Sequence, residues 1–227
     1  MSPIVLLASA FIAILASISA SGVDPDGVAM PEDSAVGLAA VRANTSTPSI
    51  ELSGVHRGAE GAVSVRERVV LGAEGPDLCV VVFVATTCPI ANASIPSIKR
   101  LETVVKKARG ELLLVHPDSL ATPEAVSRHA TDRELQMEIL LDPRQRLARH
   151  LEARVVPEAF VLQRNGMDWE IRYRGPVDDL YAGIGRRRRA ASTFHAVEAV
   201  RSIRTGAPIG IPIRTAHGCA IERMRVK

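Results

Sequence analysis

"LCVVVFVATTCPIAN", residues 78–92, decides how the rest of the chain is read. Residues 78–85 are a continuous apolar, β-branched run, the pattern of a strand buried on both faces. The run stops at Thr86-Thr87, and Cys88-Pro89 follows. Ile95, Ile98, Leu101, Val104, Val105 and Ala108 then recur at helical spacing, with Lys99, Arg100, Lys106 and Lys107 mostly off that stripe. Pro96 falls in the first turn, where a missing N–H is harmless, and Gly110 ends the helix. Cys88 thus stands where a strand hands over to a helix. In α/β sheets chemistry gathers at the carboxyl ends of the strands. A thiolate at a helix N-terminus is stabilised by unpaired N–H groups and the helix dipole. Cys88 is accordingly read as a reactive thiol rather than one more small buried residue, which requires its sulfur to be exposed and easily ionised at that junction.

Working outward, "ELLLVHPD" (residues 111–118) is a second buried strand, and Thr122-Pro123-Glu124 opens a short helix with a cap residue and an early proline. "MEILLD" (137–142) is a third strand, and Asp142-Pro143 starts another helix with Leu147 and Leu151 inward. Residues 158–175 give two strands joined around Asn165-Gly166, a strong hairpin signal. A last helix over 193–204 places Phe194, Val197, Val200 and Ile203 on one face, and Gly206 stops it. Strands separated by helices call for right-handed crossovers and parallel pairing, and the hairpin adds antiparallel strands. The expected class is α/β, a mixed central sheet flanked by helices on both faces.

The chain has 227 residues, 47% hydrophobic but only 3% aromatic, so its core is built from Val, Leu, Ile and Ala. So few aromatics argue against single-stranded nucleic-acid binding, which relies on stacking platforms. The net charge is +3, and "RRRR" (186–189), beside Gly183 and Gly185, reads as a solvated loop. The first 20 residues carry no charged side chain. Their apolar part, 3–16, is shorter than the ~20 residues of a membrane span and suits a signal-peptide core with cleavage near Ala20 or Gly22. No Lys or Arg precedes the run, so an uncleaved N-terminal anchor is the alternative; either way the body is expected to be exported, periplasmic or extracellular. No cysteine follows the run to carry a lipoprotein anchor. The expected organisation is a signal peptide or anchor over 1–21, a flexible linker over 22–54, a folded domain over 55–206, and an irregular basic tail over 207–227.

"CPIAN" (88–92), "LLDP" (140–143), "VPEAFVL" (156–162), "YRGPVDD" (173–179) and a terminal "GC" (218–219) together carry a resemblance. Over about residues 54–221 the chain resembles the thioredoxin fold, and more narrowly the exported redoxin-like proteins of the alkyl hydroperoxide reductase/thiol-specific antioxidant superfamily. The resemblance implies that Cys88 faces Pro157, that the Val156–Pro157 bond is cis, and that Val156 offers backbone atoms to an extended substrate. Without it, Pro157 reads as a strand-entry proline. The departures are specific. A C-x-x-C motif needs a second cysteine where Ala91 stands, and the C-x-x-x-C of copper-chaperone relatives needs one at Asn92. The P-x-x-x-T-x-x-C of peroxiredoxins finds Val81 and Ala85 in place of its proline and threonine, so the peroxidase motif is incomplete.

Two-step thiol chemistry needs a resolving thiol. Cys79, inside the strand, would lie ~30 Å from Cys88 if the stretch stayed extended, against a ~7 Å Cα limit for a disulfide. It is read as a buried small hydrophobe. Nothing in the sequence forbids Cys219, in "TAHGCAIE", from reaching Cys88, and an exported protein is expected to bridge an even pair. A Cys88–Cys219 disulfide or exchange pair and two independent thiols both remain open. His217 and His116 could join Cys88 and Cys219 as soft ligands for Cu(I) or Zn, but no two are at recognised metal spacing. They are read as a solvent-facing and a strand-terminal histidine, and no metal site is expected. His129, His150 and His195 carry no evident role. Arg174 with Asp178-Asp179 is read as a structural loop contact.

The functional expectation is an exported thiol–disulfide oxidoreductase with a single active-site cysteine. Cys88 is the nucleophile, Pro157 and Val156 shape the groove, and Cys219 is the candidate resolving thiol. No Gly-rich dinucleotide loop is present, so no cofactor is expected, and electrons come from an external thiol or disulfide protein partner. Neither a nucleic-acid partner nor any membrane contact beyond an N-terminal anchor is expected. The competing class is a non-catalytic thioredoxin-fold module that binds a partner protein or a metal.

Overall fold

The chain enters its sheet earlier than the sequence suggests. The computed structural model describes residues 49–58 and 62–223. In it β1 (Ile50–Arg57) and β2 (Val63–Val70) form an antiparallel pair running from Ile50↔Val70 to Arg57↔Val63. The expected linker over 22–54 therefore ends inside a strand, and the folded domain begins before residue 55. The alternation in β1 is interrupted at Gly54, where backbone replaces a side chain, and β2 is an edge strand exposing Arg66 and Glu67. Charges on an edge block unwanted pairing, and they also hide the strand's period. The expected signal peptide or anchor and the linker up to residue 48 lie outside the described residues.

β3 (Leu78–Phe83) is buried at every position, so both its faces are covered. Burying each of its large apolar side chains contributes roughly 1.5–3 kcal/mol. β4 (Glu111–His116) runs parallel to β3 with Val81↔Leu113, and β5 (Glu138–Leu141) runs parallel to β4 with Val115↔Leu140. β6 (Val155–Val156) leads into the hairpin of β7 (Glu158–Asn165) and β8 (Asp168–Gly175), which turns at Gly166 with φ 63°. The seven-stranded sheet has the order β2-β1-β5-β4-β3-β7-β8. It is mixed, as expected, and thioredoxin-like.

Five helices are described: α1 (Pro89–Ala93), α2 (Ile95–Lys107), α3 (Pro123–Asp132), α4 (Arg146–His150) and α5 (His195–Thr205). β3, β4 and β5 step across the sheet in one direction, so right-handed crossovers put α2 and α3 on the same face. Ile98, Leu101 and Val105 of α2 are fully buried, and α2 packs on β4 and on α5. Phe83 and Phe160 meet edge to face across β3 and β7 with ring centres 5.8 Å apart. α4 begins at Arg146 rather than at Asp142-Pro143. Gln145 takes a left-handed conformation (φ 55°), and the Asp142 carboxylate accepts from the N–H groups of Arg146 (2.7 Å) and Ala148 (2.9 Å).

The tail is irregular only as far as Gly218. Arg174 N–H donates to Pro212 O (2.8 Å) and Arg214 N–H to Arg174 O (2.9 Å). Beyond them β9 (Cys219–Ala220) pairs antiparallel with β6, Val156 opposite Cys219 and Val155 opposite Ala220. Ile221 is buried and its N–H donates to Arg154 O (2.9 Å). A two-residue strand is too short to show a period, so the sequence alone could not place it. No helix among the described residues is long and apolar enough to cross a membrane.

Candidate active site

After β3 the Cys88 N–H donates to Ala85 O (3.2 Å), closing the turn that sets Cys88 as the cap of α1. Pro89 takes the first helical turn, where it needs no partner for an N–H. The Ala91 N–H donates to Cys88 Sγ at 3.5 Å, and the Ala91 methyl is buried. Asn92 explains the second missing cysteine. Its Nδ2 donates to Thr86 O (2.9 Å), and its Oδ1 lies 2.6 Å from His129 Nε2, an arrangement that puts the imidazole proton on Nε2. Asn92 therefore clamps the turn ahead of Cys88 to α3. The ring of His129 meets that of His116 edge to face, 6.4 Å between centres. His116 is buried rather than merely strand-terminal; burial, with His129 adding to it, pushes its pKa down to about 3, so the ring is neutral.

Across from this turn the Val156–Pro157 peptide is cis, as the resemblance implies. The Val156 carbonyl oxygen lies 3.4 Å from Cys88 Sγ. Cys88 and Cys219 are joined by a disulfide, with their Cα atoms 6.3 Å apart. Of the two alternatives left open by the sequence, the structure holds the bridge. One expectation is not met: Cys88 is only 3% exposed. The sulfur sits at the helix mouth, but β9 lies over it. Cys79 is free and fully buried, and burial pushes its thiol pKa well above the ordinary value, so it is unsuited to exchange.

Several residues missed by sequence reasoning hold this arrangement. Gly218 lies so close to β6 that an added Cβ would meet Val156 O at 2.2 Å and Val156 C at 2.7 Å. Glu158, buried just after the proline, accepts from Arg154 N–H (2.7 Å) and from Arg174 Nε (2.8 Å). Arg174 thus ties the groove loop to β8, while its backbone holds the tail. Gln145 Nε2 donates both to Pro117 O (3.2 Å) and to Glu222 O (2.6 Å), fastening the far end of the tail. Arg223 donates to Ala153 O. The expected contact between Arg174 and Asp178-Asp179 is not formed, because Glu158 takes the guanidinium. Asp179 instead accepts from Ser192 N–H (2.7 Å) and Thr193 N–H (2.9 Å), and Asp178 from Leu180 N–H (2.9 Å).

His217 lines a cleft of ≈ 520 Å³, together with Asp178, Asp179, His195 and Arg214. Among the described residues no three His, Cys, Asp or Glu side chains converge as a metal-ligand group. The four arginines at 186–189 are exposed, in a loop.

The model of the AhpC/TSA family matches residues 46–172. No curated protein is matched. A hypothetical protein from Sinorhizobium meliloti 1021 superposes with a TM-score of 0.58 at 17% identity, covering 78% of this chain and 97% of that one. An uncharacterized conserved protein from Geobacillus kaustophilus gives 0.58 at 16% identity over 79% and 98%. A thiol-disulfide oxidoreductase from Bacteroides fragilis aligns at 0.42 and 19% identity over 57% and 89%. The two likenesses at 0.58 bear on the fold alone. The family match, by contrast, starts ahead of β1 and ends within β8, taking in both the cysteine turn and the cis-proline; the chain belongs to the AhpC/TSA family.

Proposed function

We propose that this chain is an exported thiol–disulfide oxidoreductase in which Cys88 is the attacking thiol and Cys219 resolves it. The observation that carries the reading is the Cys88–Cys219 disulfide, set between the α1 cap and the Val156 carbonyl. In the dithiol form the Cys88 thiolate attacks a disulfide of an external protein partner. A Cys88–partner bond forms, and the partner's other sulfur leaves as a thiolate and takes a proton. The Cys219 thiolate then attacks Cys88 Sγ, forming the observed bridge and releasing the second partner thiolate. Two electrons pass from the pair to the partner, and an external dithiol restores the pair. Val156 and Pro157 wall the groove in which this happens.

Exchange is favoured over peroxide reduction because Ala85, at the threonine position of the peroxidase motif, carries no hydroxyl to hold a peroxide. Export is supported by the uncharged apolar run over 3–16 and by the bridge itself, since disulfides persist in oxidising compartments. Reduction of insulin disulfides with dithiothreitol as donor tests the reading. Turnover is expected in the native chain and absent in Cys88→Ser, while Cys219→Ser accumulates a mixed disulfide. Equal background rates for the native chain and Cys88→Ser would leave a binding module instead.

A further inference from the structure

β6 has a single pairing partner among the described residues, and that partner is the chain's own tail. The ladder consists of backbone pairs, Val156 with Cys219 and Val155 with Ala220, extended by the Ile221 N–H on Arg154 O. Backbone pairing does not read sequence, so any extended segment could take the place of β9. Three positions of the occupant are nevertheless constrained by their side chains. Residue 218 has no room for a Cβ, because the nearest atoms are Val156 O at 2.2 Å, Val156 C at 2.7 Å and Pro157 N at 3.2 Å. These are backbone atoms of a segment held by Glu158 and followed by proline, so none can swing aside as a side-chain tip would. Residue 219 must present a sulfur to Cys88. Residue 221 buries an aliphatic side chain in the core cluster, whereas Ala220 between them is exposed.

We propose that the groove beside Cys88 selects disulfide-bearing polypeptide segments of the form glycine-cysteine-any residue-aliphatic, with residues 218–221 as the built-in occupant that such a segment displaces. The inference rests on the oxidoreductase reading and names the substrate class of that same site. The Cys88 thiolate attacks the sulfur of the incoming segment's cysteine. A Cys88–segment bond forms, the segment's former partner leaves as a thiolate with the electron pair, and the Cys88 proton goes to solvent. Returning to β6, the tail expels the reduced segment through Cys219.

The test uses the full chain carrying Cys219→Ala, reduced, and peptides whose cysteine is capped as a mixed disulfide with thionitrobenzoate. Release of the coloured thionitrobenzoate is followed, and the mass of the protein adduct confirms attack on the peptide sulfur. The tail still competes for the groove, but equally against every peptide, so rate ratios isolate recognition. Peptide TAHGCAIE is expected to react about tenfold or more faster than TAHACAIE, since overpacking against fixed atoms is strongly unfavourable. It should also outpace TAHGCADE severalfold and match TAHGCKIE. All four should react alike with mercaptoethanol. In the full chain, adding Gly218→Ala to Cys219→Ala should lift the tail and accelerate every peptide. Equal rates for the glycine and alanine peptides, or the same ratio with mercaptoethanol, overturn the selection while leaving thiol exchange at Cys88 intact. No release from any peptide overturns both.

Discussion

Reducing the Cys88–Cys219 bond should weaken the fold by an amount set by the length of chain it closes. The two cysteines are 131 residues apart in sequence. A closed loop of that size removes about 5 kcal/mol of chain entropy from the unfolded state. That is a large share of the ~5–15 kcal/mol that holds a typical domain together. Without a substrate to displace residues 218–221, the folded reduced chain should keep its tail beside β6, because Arg174 still holds Pro212 and Arg214, and Gln145 still holds Glu222. Most of the effect therefore lies in the unfolded chain. With a urea dependence of ~2 kcal/mol per molar, the unfolding midpoint should fall by roughly 2.5 M on reduction. Trp169, the single tryptophan, is buried with the Arg164 guanidinium 4.4 Å above its ring, and its fluorescence reports the transition. By linkage, the fold should lower the potential of the bond by about 100 mV relative to the unfolded chain. Cys88→Ser and Cys219→Ser should each show the lower midpoint whether or not reductant is present. Oxidised and reduced native chains sharing one midpoint would refute the reasoning, since a bridge closing this loop cannot be silent.

Gly218→Ala in the native chain should push β9 off Val156 and raise the potential of the pair by about 30 mV or more, about 1.4 kcal/mol of strain, as read by titration in glutathione buffers. Glu158→Ala leaves the Arg174 guanidinium with only the more distant Glu152 carboxylate (3.9 Å) and removes the acceptor of the Arg154 N–H, and should destabilise the fold by about 3 kcal/mol in urea unfolding. Burial holds His116 at a pKa of about 3 against an ordinary 6.5, so the unfolded chain binds the extra proton between those values. Stability from this group is complete above pH 6.5 and declines as the pH falls toward 3, by up to about 1.4 kcal/mol per pH unit. Burial also lowers the pKa values of His129, His150 and His195, which act in the same direction. Urea midpoints measured against pH should show a shallower acid limb in His116→Gln; an unchanged limb would remove His116 from its cause.

The central elements were legible because each carries a long signal. β3 is an unbroken apolar run, α2 and α5 repeat at helical spacing, and Asn165-Gly166 marks its hairpin. Cys88 was found from its place between a strand and a helix, whereas the role of Pro157 came with the family resemblance, since its place alone reads as a strand-entry proline. β1 and β2 escaped notice because Gly54 and the edge charges of β2 break the alternation that marks a half-buried strand. The tail was misjudged for a different reason. Its order comes from single contacts to residues far off in the sequence, Arg174 with Pro212 and Arg214, Arg154 with Ile221 and Gln145 with Glu222, and such contacts leave no local period. Gly218 was visible as part of the "GC" motif, but the need for glycine arises from the Val156 carbonyl, which only the folded chain brings near. Glu158 likewise sat in view within "VPEAFVL", yet its role depends on Arg174 across the hairpin.

The most direct test of the central claim is to equilibrate the native chain across a series of glutathione redox buffers, quench with acid, alkylate, and follow each cysteine by peptide mass. Cys88 and Cys219 should convert together as one two-electron couple while Cys79 stays reduced throughout. Cys219 remaining open to alkylation in every buffer, whatever the state of Cys88, would contradict the account.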